Sequence, residues 1–223
     1  MFKKYRYQQQ SYSQCGEDLI INFIFNALGI KSPSYVDIGA HHPYYLSNTA
    51  FFYEKGCTGI CIEPDPNLYE KIKKYRKKDL CLNVGIGIDS EDEADFYIMS
   101  SPTLNTFSEE EAIRCTSYGN QKIVKKIKIP LIAINQIIDM HTKTVPNLIS
   151  LDIEGFDYLV LKSFDFSKYR PEVFCIETLS YTEDNSEVKL NSIIELMLEK
   201  DYLLYADTYI NTIFVDKDKW NSR

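Results

Sequence analysis

Short apolar runs alternate with amphipathic stretches along this chain. Residues 35–38 (YVDI), 58–63 (TGICIE) and 80–87 (LCLNVGIG) are compact and rich in β-branched side chains, as buried strands are. Between them, 16–28 (GEDLIINFIFNAL), 48–56 (NTAFFYEKG, closed by Gly56) and 67–76 (NLYEKIKKYR, opened by Pro66) read as helices. Strands separated by helical patterns predict βαβ units and a parallel sheet.

The second half is less regular at first. Residues 94–99 (ADFYIM) read as a strand, 100–112 (SSPTLNTFSEEEA) as a hydroxyl-rich loop entering a helix, and 122–134 as an alternating edge strand. A short helix (NQIIDMH) follows, and the core pattern resumes at 147–155 (NLISLDIEG), 157–164, 172–178 (EVFCIET) and 188–200. Two last strands, 202–206 and 212–216, are separated by five residues, too few for a parallel crossover, so they pair antiparallel. The expected fold is α/β and Rossmann-like: a mostly parallel seven-stranded sheet, an antiparallel C-terminal hairpin, and helices on both faces. That is the layout of class I methyltransferases, whereas a dehydrogenase domain continues with another helix and parallel strand. The length, 223 residues, predicts one domain over 1–223.

The net charge of −7 argues against nucleic acid as a partner, because phosphate contacts need clustered Lys and Arg. The two basic runs, 71–78 (KIKKYRKK) and 122–128 (KIVKKIK), read as solvated faces. The first residues lack the apolar stretch of a signal peptide, and no run approaches the roughly 18 apolar residues of a membrane span. The six cysteines form no C-x-x-C pair and no zinc-type cluster. A reduced, cytoplasmic protein is expected.

The chemistry gathers at strand ends, where an open α/β sheet binds its ligand. After the first strand the sequence is Gly39-Ala-His-His-Pro-Tyr44, with one glycine where a dinucleotide turn has three. A pyrophosphate is therefore disfavoured, and a P-loop is absent. S-adenosylmethionine carries no pyrophosphate: Asp37 would meet its ammonium, and Gly39 would let its amino acid end cross the turn. Glu63, closing the second strand in Cys61-Ile-Glu-Pro-Asp-Pro66, stands where ribose hydroxyls are gripped, since a carboxylate accepts two bonds from a diol. Pro64 stiffens that turn, Asp65 faces the adenine, and Asn83 and Val84 at the third strand end meet the adenine edge. The plain alternative for each acid is a turn or helix cap.

Asp152 and Glu154 lie two apart, on one face of the fourth strand end, and Glu177 ends the fifth. Methyl transfer to a hydroxyl gains from a general base. Candidates are Asp152, Glu177, His41 and, ahead of His41, His42, because imidazole titrates near neutral pH. A divalent cation held by Asp152 and Glu177 is a second way to polarise the oxygen. The 100–112 segment is the candidate acceptor loop, and Tyr44 and Tyr45 are candidates to stack on a sugar.

Taken together, SQCGEDLI (13–20), YVDIGAHHPYYLSNT (35–49), GICIEPDP (59–66), LNVGIG (82–87), LNTFSEE (104–110), LISLDIEGFDYLVLKSFDF (148–166) and PEVFCIET (171–178) resemble the FkbM-type methyltransferases. The resemblance covers roughly 11–180. It implies O-methylation, in many members of a sugar hydroxyl on surface polysaccharides, glycolipids or secondary metabolites. It implies S-adenosylmethionine binding through Asp37, Gly39, Glu63 and the surroundings of Asn83. It further implies that Gln14, Gly16, Glu17 and Asp18, in a 1–30 segment before the 31–223 core, fold over the site, and that Ser47, Asn48 and Thr49 contribute.

Overall fold

A computed structural model of the chain describes residues 8–88, 92–118, 120–153, 155–180 and 187–223. In chain order the elements are α1 (Glu17–Ala27), β1 (Tyr35–Ile38), α2 (Ala50–Glu54), β2 (Gly59–Ile62), α3 (Pro66–Tyr75), β3 (Leu80–Leu82), β4 (Gly85–Ile86), β5 (Glu93–Met99) and α4 (Glu109–Tyr118). There follow β6 (Ile123–Ile132), α5 (Ile134–His141), β7 (Leu148–Leu151), α6 (Asp157–Ser163), β8 (Val173–Glu177), α7 (Asn191–Glu199), β9 (Tyr202–Asp207), β10 (Asn211–Asp216) and α8 (Lys217–Asn221).

The main sheet has seven strands in the order β3-β2-β1-β7-β8-β10-β9. Strands β3 to β8 run parallel, and β10 is antiparallel to both β8 and β9. This is the expected sheet, with its terminal hairpin. The chain winds outward from β1 to β3 and then returns to β7 beside β1. Such a reversal opens a crevice at the strand ends.

Alternation along each strand sends side chains to two cores. On one face Val36, Ile38, Ile149, Leu151, Phe174, Ile176 and Phe214 pack with Ile137 of α5, Leu161 of α6 and Met197 of α7. On the other, Tyr35, Leu148, Val173, Cys175 and Ile213 meet Ile24 and Phe25 of α1 and Phe51 and Phe52 of α2. Helices thus cover both faces, as the sequence pattern requires.

Two expectations are corrected. Residues 80–87 are not one strand. β3 joins the main sheet, while β4 pairs with β6 in a second, three-stranded sheet ordered β4-β6-β5. The chain changes sheets at Asn83, whose Nδ2 donates to the carbonyls of Glu63 and Pro64 (both 2.8 Å) and so is held at the β2 end. β6 is accordingly the central strand of that small sheet, not an edge strand. Lys126 and Lys128, two apart, share one exposed face of it, where both reach Asp95. Among the described residues no helix is long and apolar enough to cross a membrane.

Phe174 is 0% exposed and its ring meets those of Phe164, Phe166 and Tyr202 at 5.6, 5.9 and 5.2 Å. Phe174→Ala is expected to destabilise the protein by about 3–5 kcal/mol, read as a lower denaturant midpoint with little change in slope.

Candidate active site

A cleft of about 530 Å³, a size typical of small-ligand sites, opens over the ends of β1, β2, β7 and β8. Its wall includes Gln14, Asp37, Gly39, His41, Ser47, Asn48, Glu63 and Pro64, then Asp152 and Glu177. The 101–107 segment, which contains a short 3₁₀ turn (Pro102–Leu104), forms another wall. Glu154 lies outside the described residues.

Gly39 makes the β1 turn possible. Its φ is +78°, and a Cβ there would sit 1.9 Å from the Asp152 carbonyl oxygen. The one glycine in this turn therefore lets β1 and β7 close against each other at the rim, whatever ligand lies above.

Asp37 is buried between partners. Its Oδ2 accepts from Thr49 Oγ1 at 2.5 Å, and Thr49 Oγ1 in turn accepts from Arg76 Nη1 at 2.8 Å. Nη1 is 3.7 Å from Asp37 Oδ2, while Nε and Nη2 hold Asp79 Oδ2 at 2.8 and 2.7 Å. Asp79 also accepts from the Tyr35 hydroxyl and the Gly59 N–H. Burial pushes the Asp37 carboxyl above its ordinary value, with Arg76 and then Thr49 opposing. Arg76 is 0% exposed, so among the basic residues of 71–78 the reading as a solvated face fails at Arg76. The signal was that Arg76 is the only arginine in a lysine run, and arginine is the cation suited to buried, multiply bonded pairs.

Glu63 is aimed by two backbone donors. Oε1 accepts from Asp65 N–H at 2.8 Å and Oε2 from His41 N–H at 2.7 Å, which leaves a lone pair on each oxygen. Burial outweighs those bonds and raises its carboxyl to about 7. Asp152 is raised as well, by burial first; its contact with Glu177 works against the rise and the charge of Asp37 adds to it. Asp157, whose oxygens accept from Ile153 and Gly155 N–H, is raised to about 7 by burial and by Asp152.

Other expected site residues make the following contacts within the protein. His41, not His42, lies on the cleft wall. His42 Nδ1 accepts from the N–H groups of Tyr44 (3.1 Å) and Tyr45 (2.9 Å), which uses that nitrogen to fix the turn. The Tyr44 ring packs on Tyr12 and the Tyr45 ring on His42, away from the wall. Asp65 caps α3 through Asn67 N–H and accepts from Asn105 Nδ2 at 2.9 Å, which ties it to the 101–107 wall. Asn83 braces the β2 end, and Val84 is a core residue beside Ile38 and Ile62. Thr49 is the link between Asp37 and Arg76.

Glu17 is buried behind the cleft, where it accepts from Thr208 Oγ1 (2.6 Å), Asn211 Nδ2 (3.2 Å) and Cys15 N–H (2.8 Å). Burial alone would raise its carboxyl, but the bonds from Thr208 and from Cys15 N–H, with its own N–H and Ser13, outweigh it and hold it below the usual range. Asp18 accepts from the Ser11 and Ser13 hydroxyls and Tyr12 N–H. The pair pins the segment that carries Gln14 to the wall. Among the described residues, no group of three or more His, Cys, Asp or Glu is arranged to hold a metal ion.

Five carboxylates line the cleft (Asp37, Glu63, Asp152, Glu177, Glu187), and among its described lining residues none is Lys or Arg. A ligand carrying an ammonium, a second positive centre and a vicinal diol fits that acid-lined surface. S-adenosylmethionine has all three.

Comparison with known proteins gives a family and similar folds. A model of the methyltransferase FkbM domain matches residues 37–204. The fold is similar to that of a caffeoyl-CoA O-methyltransferase candidate from Staphylococcus aureus (TM-score 0.50, 10% identity, 91% of this chain and 84% of that one). Precorrin-6y C5,15-methyltransferase from Geobacter metallireducens GS-15 aligns at TM-score 0.43 and 9% identity, over 88% of this chain and 87% of that one. The 1,6-didemethyltoxoflavin-N1-methyltransferase of Burkholderia thailandensis, solved with S-adenosylhomocysteine, aligns at TM-score 0.46 and 10% identity, over 92% and 80%. No curated protein matches the sequence significantly.

Two outcomes follow for the ligand-free protein. Gly39→Ala should destabilise by several kcal/mol, measured by chemical denaturation, because both the positive φ and the close approach oppose a side chain. The folded protein holds the Glu63 proton up to about pH 7, whereas the unfolded chain releases it near 4.5. This contribution is therefore full below about pH 4.5 and is lost as pH rises to 7, roughly 3 kcal/mol in all. Glu63→Gln should flatten the fall in melting temperature over that window, and an unchanged slope would contradict the assignment.

Proposed function

The chain belongs to the FkbM methyltransferase family and is an S-adenosylmethionine-dependent methyltransferase, and from that premise we propose that it methylates a hydroxyl of a sugar, in a glycan, surface polysaccharide or glycolipid pathway. The observation that carries the hydroxyl reading is the contact between Asp152 and Glu177 on the cleft rim, with the Asp152 carboxyl raised. A carboxylate of raised pKa is a better base toward a neutral hydroxyl than an ordinary one. The sugar itself rests on the family resemblance.

In this reading the Asp37 carboxylate takes the cofactor's ammonium and the turn at Gly39 gives it room. The two free lone pairs of Glu63 accept the ribose hydroxyls. His41 and Pro64 line the nucleoside end, and Asp65 fixes Asn105 of the facing wall. Gln14, Asn48 and the segment braced by Glu17 close the side of the cleft. When bound, the cofactor supplies an electrophilic methyl group. Asp152, in contact with Glu177, accepts the acceptor hydroxyl's proton, and both orient the oxygen.

Binding of S-adenosylhomocysteine, measured by calorimetry, should weaken at least tenfold in Asp37→Asn and in Glu63→Gln. Asp152→Asn should lower kcat by about 10²–10⁴ while S-adenosylhomocysteine affinity changes less than threefold. A screen with methyl-labelled cofactor over glycosides, nucleotide sugars and small non-sugar alcohols tests the acceptor. Label confined to the non-sugar compounds would sink the sugar reading and leave the methyltransferase.

A further inference from the structure

Two of the six thiols face each other across neighbouring strands. Cys61 of β2 and Cys81 of β3 are register partners in a parallel pair, so both side chains leave the same face of the sheet. They pack together, beside Ala40 and against Ile72 of α3. Cys61 is 1% exposed, whereas Cys81 is half-buried on the strand that ends the main sheet. Adjacent strands run about 4.8 Å apart, inside the Cα separation of roughly 4.4–6.8 Å that a disulfide spans.

The surroundings suit Cys81 to react first. Pairing with the Cys61 thiol, the largest influence, holds the Cys81 thiol below its ordinary value; the charges of Arg76 and Lys73 add to this, while burial and the charge of Asp79 oppose it. The same pairing, and then burial, keep Cys61 a neutral thiol, well above its ordinary value.

Each cysteine also stands two residues before a group at the cofactor crevice. Cys61 precedes Glu63, whose oxygens are aimed by the N–H groups of Asp65 and His41. Cys81 precedes Asn83, whose amide holds the carbonyls of Glu63 and Pro64. The Cβ atoms of a disulfide lie about 3.8 Å apart, closer than the strand spacing, so a cross-link here draws the β2 and β3 ends together. Hydrogen bonds weaken steeply away from their best geometry, and Glu63 sits directly above the link.

We infer that Cys61 and Cys81 are a redox pair, which a peroxide closes to a cross-strand disulfide that displaces Glu63 and lowers cofactor affinity. The Cys81 thiolate attacks one peroxide oxygen and the O–O bond breaks. The other oxygen leaves as water after taking up a proton, and Cys81 becomes a sulfenic acid. The Cys61 sulfur then bonds to the Cys81 sulfur, the S–O bond breaks, and the hydroxyl leaves as a second water with the Cys61 proton. Two thiols are oxidised, and one peroxide is reduced to two waters. A dithiol reductant reverses the bond. The loss of affinity rests on the reading of Glu63 as the ribose ligand.

The test treats the protein with hydrogen peroxide, maps its cysteines by mass spectrometry of the digest, and measures S-adenosylhomocysteine affinity by calorimetry before treatment, after it and after dithiothreitol. A Cys61–Cys81 peptide, affinity lowered at least threefold and recovery on reduction are the expected results. Cys81→Ser and Cys81→Ala should bind like the reduced parent and keep that affinity through peroxide treatment, which separates the pair from oxidation of the exposed Cys15. Cys81 recovered as a sulfinic acid, with no bond to Cys61, overturns the pair. A cross-link that leaves affinity unchanged, while Glu63→Gln weakens binding, overturns the control of binding and leaves the ribose reading standing. A cross-link that lowers affinity, while Glu63→Gln has no effect, supports the redox pair and overturns the ribose reading.

Discussion

One buried cation organises the rim of this protein. Arg76, at the end of α3, faces the back of β1 and holds Asp79 directly and Asp37 largely through Thr49. The rings of Tyr35 and Tyr53 stand 5.4 and 5.3 Å from its guanidinium carbon. Burying a charged group demands both partners and hydrogen bonds, and removing one partner of such a set costs about 3–5 kcal/mol. The network joins α2, α3, β1 and the approach to β3. The position of Asp37 in the cleft is thus fixed from behind, by groups that no ligand touches.

With that cation spent, the front of the rim is lined by acids without a basic partner among its described lining residues. Glu63 and Asp152 on the wall, and Asp157 off it, are all raised, first because burial penalises charge. The same features that make the empty rim unfavourable suit it to a positively charged, hydroxyl-bearing ligand. Binding and the relief of buried negative charge are one process, and the protein supplies the strain for it through its strand ends.

Much of the architecture was legible because it depends on local pattern. The apolar runs at 35–38 and 58–63, the helices between them and the five-residue link of the hairpin require no knowledge of distant contacts. The break at Asn83 was not legible. Residues on both sides of Asn83 are apolar, so the run reads as one strand, and the change of sheet is made by an amide reaching carbonyls about twenty positions earlier. His41 and His42 are chemically alike in sequence. What separates them is a turn whose two N–H groups claim the Nδ1 of His42.

The sequence by itself determined the fold class, the acids at the strand ends and the family, because periodicity and motif order survive without coordinates. Only the tertiary structure decided which of those groups share a cleft. It alone shows that Gly39 is demanded by the carbonyl of Asp152, that Arg76 stands behind Asp37, and that Asn211 arrives beside Glu177. Each of these is a contact between elements far apart in the chain. A one-dimensional pattern records what a residue is, and the packing of the sheet records what it meets.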